Sequence, residues 1–285
     1  MMKISTCLAP TDTILGGEKA VECVAKAGFD AWDLSMFAMC RYDWKKGCLL
    51  PNDHPLAGKD YLAYVRRMKQ IGLDNGIHCN QSHAPFPTYC DPIRDYFKRA
   101  IECTAEAGGE ICVIHPDNYK NAAENAEIYL ELLPFAKAHG VKLATENMYG
   151  WDGKKDQAIP HACATPEDFN AHLDAVNDPY FVACLDIGHA EMRGIGTSAP
   201  EMIRALGPRL KALHIHDNDR WHDSHQIPFS MDIDFTAVAA ALREVGYDGY
   251  LTLEADGYLR GYTPKAAWEG QKELARAARR FAALI

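Results

Sequence analysis

Apolar positions along the chain follow two alternating rhythms. Short apolar or β-branched runs at Lys3–Ala9, Phe29–Met36, Leu73–Ala84, Glu110–Pro116, Val141–Met148, Phe181–His189, Leu210–Asn218 and Tyr250–Asp256 read as eight strands. Between them the period lengthens to that of a helix. Ile93, Tyr96, Phe97, Ala100, Ile101 and Thr104 share one face, as do Phe235, Val238, Ala239, Leu242 and Val245. Thr165-Pro166 and Thr263-Pro264 predict N-caps followed by proline in the first turn. Gly28, Gly72, Gly108, Gly140 and Gly246 stand where a helix must stop before the next strand. Eight strand-then-helix units with right-handed crossovers predict an α/β chain folded as one (β/α)8 TIM barrel over residues 1–285. A doubly wound open sheet is the alternative that the pattern leaves.

In a barrel of this kind the C-terminal strand ends and the loops after them form the active face, so the residues at those ends carry the argument. The third strand ends at His83, the fourth at His115, the fifth at Glu146, the sixth at Asp186 with His189 beyond, the seventh at His216 and the eighth at Glu254. Strands one and two end without a comparable ligand type. Counting by twos, Glu146, Asp186, His216 and Glu254 point inward if Leu143, Leu185, Ile215 and Leu253 face the helices. Neighbouring strands are about 4.8 Å apart, so the four side chains are expected at one level, converging on one point.

Three carboxylates brought together in a low dielectric repel, and a divalent cation resolves that most directly. The mixed oxygen and nitrogen set suits Mn²⁺, Mg²⁺, Co²⁺, Zn²⁺ or Fe²⁺. His214, one pleat deeper, is expected to support His216 rather than bind metal. His83, His115, His189, Asp223 and His225 are candidates for further metal ligands or for contacts to substrate oxygens. Phe37, Trp44, Phe86 and Trp151 are expected in an apolar pocket wall, with the long loops Arg41–Lys59 and Arg220–Met231 beside them. His54, His139, His161 and His172, in loops or helices, are expected at the surface.

Composition narrows the setting. A formal net charge of −9 argues against a broad nucleic-acid footprint, which needs clustered Lys and Arg. No run approaches the roughly 18 apolar residues of a membrane span, and the N-terminus lacks a signal-peptide pattern. Ten cysteines without a CxxC pair, several inside apolar runs, point to reduced core thiols and a cytoplasmic protein. The sequence leaves self-association into a homo-oligomer open.

Six segments together resemble the xylose isomerase-like barrel superfamily, which holds sugar-phosphate isomerases and epimerases and the endonuclease IV type of apurinic-site nuclease. They are Ser82-His83-Ala84-Pro85, Ile114-His115-Pro116, Glu146-Asn147, Asp186-Ile187-Gly188-His189, His214-Ile215-His216-Asp217-Asn218-Asp219, and Tyr247-Asp248-Gly249 leading to Leu253-Glu254. In the isomerase branch the resemblance implies one divalent metal held by Glu146, Asp186, His216 and Glu254. It also implies an open-chain sugar substrate, a metal-stabilised enediolate, and Glu146 and Glu254 as the acid–base pair. The same enolate could expel a leaving group, which keeps dehydratases and lyases open. In the nuclease branch, matching His83, His115, His189, Asp223 and His225 would help hold three zinc ions. The acidic balance and the opening Lys3-Ile4-Ser5-Thr6-Cys7 depart from that branch. Ile227-Pro228-Phe229-Ser230-Met231-Asp232 replaces the family's glycine-rich turn, which predicts a stiffer, bulkier loop there. No glycine-rich phosphate cradle is visible, which favours a substrate without phosphate. A third expectation, a sugar-binding barrel without catalysis, is weakened by the paired glutamates.

Overall fold

The computed structural model describes residues 2–285. Its strands Ile4–Thr6, Ala31–Ser35, His78–His83, Ile111–Val113, Lys142–Glu146, Phe181–Asp186, Leu210–His214 and Leu251–Leu253 run in chain order round a barrel. Strands two to seven form one parallel sheet in sequence order, and strand one pairs in parallel with strand eight. Bridges between Cys7 and Asp33 and between Ile215 and Leu253 join the two sheets. Their hydrogen bonds, Leu8 N to Asp33 O at 3.2 Å and Glu254 N to Ile215 O at 2.9 Å, complete the ring. Closure leaves the barrel without an edge strand and rules out the open sheet.

Strand alternation sorts the apolar residues into two layers. Leu143, Leu185, Leu213, Ile215 and Leu253 pack outward against the helices in one large core. Val113, Ala144, Val182, Cys184 and Ala212 fill the barrel interior. These interior side chains are small, so polar residues fit around them. Ser5, Asn80, Gln81 and Thr252 are buried there and linked, with Ser5 Oγ donating to Asn80 Oδ1 at 2.6 Å and Asn80 Nδ2 to Thr252 Oγ1 at 3.2 Å.

Helix starts follow the local rules. Thr165 caps helix Pro166–Val176 and Thr263 caps helix Pro264–Ala282, each accepting from the backbone at 3.3 Å. Gly28, Gly108, Gly140 and Gly246 all have positive φ, as expected where a helix ends. Gly72 differs. Helix Tyr61–Asp74 runs through it, and a Cβ at this position would lie 3.0 Å from Trp32 Nε1 and 3.1 Å from the Ile77 carbonyl. Close packing, not a left-handed turn, requires that glycine.

The run expected as a strand from Leu73 therefore begins as helix, with Leu73 exposed, and becomes strand only at His78 after the Asn75-Gly76 turn. The sixth strand stops at Asp186, because Ile187–Glu191 turns into a short helix capped by Asp186, which accepts from His189 N at 2.7 Å. The face expected across Ile93–Thr104 is shared by two helices, Asp91–Arg94 and Phe97–Ala107. Two hairpins, Arg41–Asp43 with Cys48–Leu50 and Tyr149–Asp152 with Gln157–Pro160, rise beside the active face. No helix among the described residues is long and apolar enough to cross a membrane.

Candidate active site

Of the four inward residues read from the sequence, Glu146, Asp186 and Glu254 come together, while His216 stands apart from the two glutamates. Glu146 is in register with Cys184, and Asp186 is in register with His214. Barrel strands are tilted and staggered, so equal depth in sequence is not equal height in the barrel. The ring beside Glu146 is accordingly His214, whose Nδ1 is 2.8 Å from Glu146 Oε1 and 3.6 Å from Glu254 Oε2. Donor atoms of Glu146, Asp186, His214 and Glu254 all lie within 4.8 Å of one another.

His216 stands one step along, its Nε2 3.2 Å from Asp186 Oδ1 and 3.4 Å from Asp223 Oδ1. It forms a second close group with His189, Asp223 and His225, and its ring stacks on that of His225 at 3.8 Å. A third group is His83, His115 and Glu146, with the two Nε2 atoms 3.4 and 3.2 Å from Glu146 Oε2. All nine site residues singled out from the sequence thus join one connected set, and His214 enters it as a tenth. Gly188 makes room for this packing, since a Cβ there would lie 1.9 Å from His216 Cε1.

Burial and charge push the two glutamates apart. Burial alone would raise the Glu146 pKa, but the charge and hydrogen bond of His214 and the nearby His115 and His83 rings hold it well below the ordinary carboxylate range. Burial raises Glu254 to about 7, with Glu146 and Asp256 adding to the rise and His214 and His225 opposing it. For His115, burial and the neighbouring His83 lower the ring to about 4. Burial likewise penalises charged His189, but Asp186 and Asp223 outweigh it and the ring is raised.

The donor chemistry fits a cation. Glu146 Oε2, Asp186 Oδ2, His214 Nε2, His216 Nε2 and Asp223 Oδ1 are buried atoms with no hydrogen-bond partner in the chain, although charged neighbours surround them. Lone pairs left unpaired at this density are costly unless something positive meets them. Carboxylate oxygens and imidazole nitrogens are the ligands that borderline and hard divalent metals take.

Three supporting residues were given no role from the sequence, and Asp33 was not singled out there at all. Asp33, in the middle of strand two, is buried, accepts from Gln81 Nε2 at 3.0 Å and has Oδ2 3.6 Å from His214 Nε2. A lone carboxylate within Ala31-Trp32-Asp33-Leu34 was the available signal, since buried acids are rare without a partner. Asn147 clamps the Asp186 backbone from both sides, accepting from its N–H at 2.8 Å and donating to its carbonyl at 2.9 Å, and its own carbonyl receives His189 Nδ1 at 2.9 Å. The Asp217 carboxylate is bonded to no member of the set, although its backbone carbonyl lies 3.4 Å from His216 Nδ1. It accepts from Met231 N at 2.9 Å and Ile233 N at 3.1 Å, tying down the loop after strand seven.

That loop turns without glycine by placing Phe229 at φ 71°, its ring covered by the Arg280 guanidinium at 3.9 Å. Among the other histidines, His139 is exposed as expected and His54 and His161 are half-buried. His172 departs from expectation: it is buried in helix Pro166–Val176, between the Asp168 carbonyl and the Asn125 amide.

Above the carboxylates lies a cavity of about 680 Å³, and Phe37, Trp44, Phe86 and Trp151 all line it. Among the described residues its lining holds a single Lys or Arg, Arg260.

A family model described as "Xylose isomerase-like TIM barrel" matches residues 21–282. An uncharacterised protein of Methanocaldococcus jannaschii is 25% identical over 248 residues, 82% of this chain and 78% of that protein. Among solved structures, a D-tagatose 3-epimerase-like protein superposes with a TM-score of 0.66 at 21% identity, covering 98% of this chain and 99% of the other. A D-psicose 3-epimerase crystallised in the presence of D-fructose gives 0.70 at 16% identity, with coverages of 98% and 99%. An L-ribulose 3-epimerase gives 0.70 at 16% identity, with coverages of 100% and 94%.

Proposed function

The chain belongs to the xylose isomerase-like TIM barrel family, and from that premise we propose that it is a divalent-metal-dependent sugar isomerase or epimerase. The observation that carries this reading is the pair of glutamates meeting one buried histidine at the floor of a cavity, Glu146 at 2.8 Å and Glu254 at 3.6 Å from His214 Nδ1. Glu146, Asp186 and Glu254 would hold the cation, with His216 joining them through its place 3.2 Å from Asp186 Oδ1 and His214 standing beside both glutamates. When bound, a divalent cation supplies Lewis-acid stabilisation of negative charge developing on substrate oxygens.

Glu254, with its pKa near neutrality, suits proton exchange with the carbon next to a carbonyl, and Glu146, held ionised, suits acceptance from the other side. Removal on one face and return on the other epimerises; return at the neighbouring carbon isomerises. Expulsion of a leaving group after the same removal would make the enzyme a lyase. The cavity volume falls in the range of roughly 300–1,000 Å³ typical of small-molecule sites. Nine buried free thiols of ten support a reducing, cytoplasmic setting. Glu254→Gln should retain its circular dichroism spectrum and lose sugar-dependent deuterium uptake from heavy water. Uptake at the wild-type rate would remove Glu254 from the mechanism.

One observation favours a second reading, hydrolysis of a phosphodiester at a three-metal centre. His83, His115 and Glu146 on one side, and His189, His216, Asp223 and His225 on the other, flank the central carboxylates as two more candidate sets. Against it stand the net charge of −9 and a mouth with one guanidinium, poor features for holding a polyanion. Three zinc ions per chain together with cleavage of abasic-site DNA would carry that reading, and one metal per chain without cleavage would end it.

A further inference from the structure

Proton transfer at the carboxylate floor leaves the mouth of the cavity without a role. Eight large apolar side chains are exposed among the described residues, and four of them, Trp44, Tyr89, Tyr119 and Trp151, stand round this one opening. Tyr119 is 76% exposed and Trp44 62%. Apolar surface gathered at one place marks a site that something covers.

These rings are held in place. Tyr89 meets Tyr119 edge to face at 5.4 Å, Tyr42 meets Trp44 at 5.1 Å, and Tyr42 also reaches Tyr89 at 6.5 Å, so one wall is continuous. On the other wall Trp151 stacks on His222 at 6.5 Å. Two buried polar atoms of the same lining, Asn118 Oδ1 and His161 Nδ1, have no hydrogen-bond partner in the chain. The His161 ring is pressed against Gly150, where a Cβ would lie 2.1 Å from its Nε2, so it is not free to turn away.

The mouth therefore offers broad apolar faces together with an acceptor and a ring nitrogen that lack partners in the chain. A pyranose ring presents the complement, with C–H faces above and below and hydroxyls round its edge. A purely aromatic group would cover the faces and leave both polar atoms unpaired. Resting on the sugar reading given above, we propose that the mouth is a second sugar subsite. The substrate is then a glycoside, with its reacting unit at Glu146 and Glu254 and a further pyranose ring against Tyr119, Tyr89 and Trp44.

The test uses the Mn²⁺-loaded full chain and titrates maltose, cellobiose and lactose against D-glucose and D-galactose, with p-nitrophenyl β-D-glucoside as an aromatic comparison. At least one disaccharide should bind about tenfold more tightly than either monosaccharide. Tyr119→Ala and Trp44→Ala should abolish that advantage while leaving Mn²⁺ content unchanged. Both side chains are exposed, so the variants are expected to fold. Equal affinity for one and two rings, an advantage that survives both variants, or tighter binding of the aryl glucoside than of every disaccharide would overturn the subsite. Deuterium uptake into free ketoses, measured alongside, separates the two readings. Uptake without a disaccharide advantage sinks the subsite alone, and an advantage with no uptake in any sugar sinks the isomerase reading alone.

Discussion

At the scale of single residues, the least obvious participant is Asp33. It does not line the cavity, yet its carboxylate lies 3.6 Å from the far nitrogen of the histidine that meets both glutamates. At that distance the carboxylate acts on the ring through its charge, favouring the charged imidazole, and losing a carboxylate behind a site histidine typically reduces activity or metal affinity by about 10- to 100-fold. Asp33→Asn keeps the shape and the bond from Gln81 while removing the charge. It should lower the turnover rate of sugar-dependent deuterium exchange within that range and leave KM near wild type. A rise in KM at constant turnover would assign Asp33 to substrate binding instead. Residue type was legible for the strand-end ligands because acids and histidines stand out against apolar runs. Asp33 was harder to see, because it sits in mid-strand and only the fold shows which ring it faces.

Among elements, the first strand and the last helix have to be held together for the barrel to close. Asp30 does this with both oxygens: Arg279 donates to them at 2.8 and 2.7 Å, and Ile4 N–H at the start of strand one donates at 2.8 Å. Partial burial would raise the Asp30 pKa, but the Arg279 hydrogen bonds and the Ile4 N–H outweigh it and the pKa is lowered. A carboxylate depressed in the folded state contributes stability above its unfolded value of about 3.9, and that contribution disappears as pH falls through the lower folded value. The pair is partly exposed, so the contribution is up to about 1 kcal/mol. Asp30→Asn should melt below wild type near neutral pH, and the gap should close as the pH drops under about 4. A gap that persists in acid would mean that packing, not charge, is responsible. The two hairpins beside the active face were not legible beforehand, because short exposed strands carry no apolar alternation, and Cys48–Leu50 and Gln157–Pro160 show none.

For the whole molecule, the main tension is electrostatic. Glu146, Asp186, Asp223 and Glu254 share one buried region, relieved mainly by histidines, with five polar atoms lacking hydrogen-bond partners. Binding that favours the folded state stabilises it by mass action, about 2.7 kcal/mol at a ligand concentration 100 times Kd. Mn²⁺, Co²⁺ or Zn²⁺ should therefore raise the melting temperature, and EDTA should reverse the rise. Replacing Glu146 with Gln should largely remove the increment, whereas replacing the exposed Asp248 should not. A melting temperature indifferent to every metal would count against a metal centre on this floor.

The order of residues was enough to reveal eight strand-then-helix units, the barrel and the acids and histidines at its strand ends, because alternation, caps and ligand chemistry are local properties. Which of those residues meet could not be read that way. His214 rather than His216 beside Glu146, Asp186 facing both groups, and Asp33 behind the ring all follow from strand tilt and stagger, which arise only when the sheet closes. Four distant aromatic rings became one mouth for the same reason: loops after different strands are neighbours only on the closed barrel.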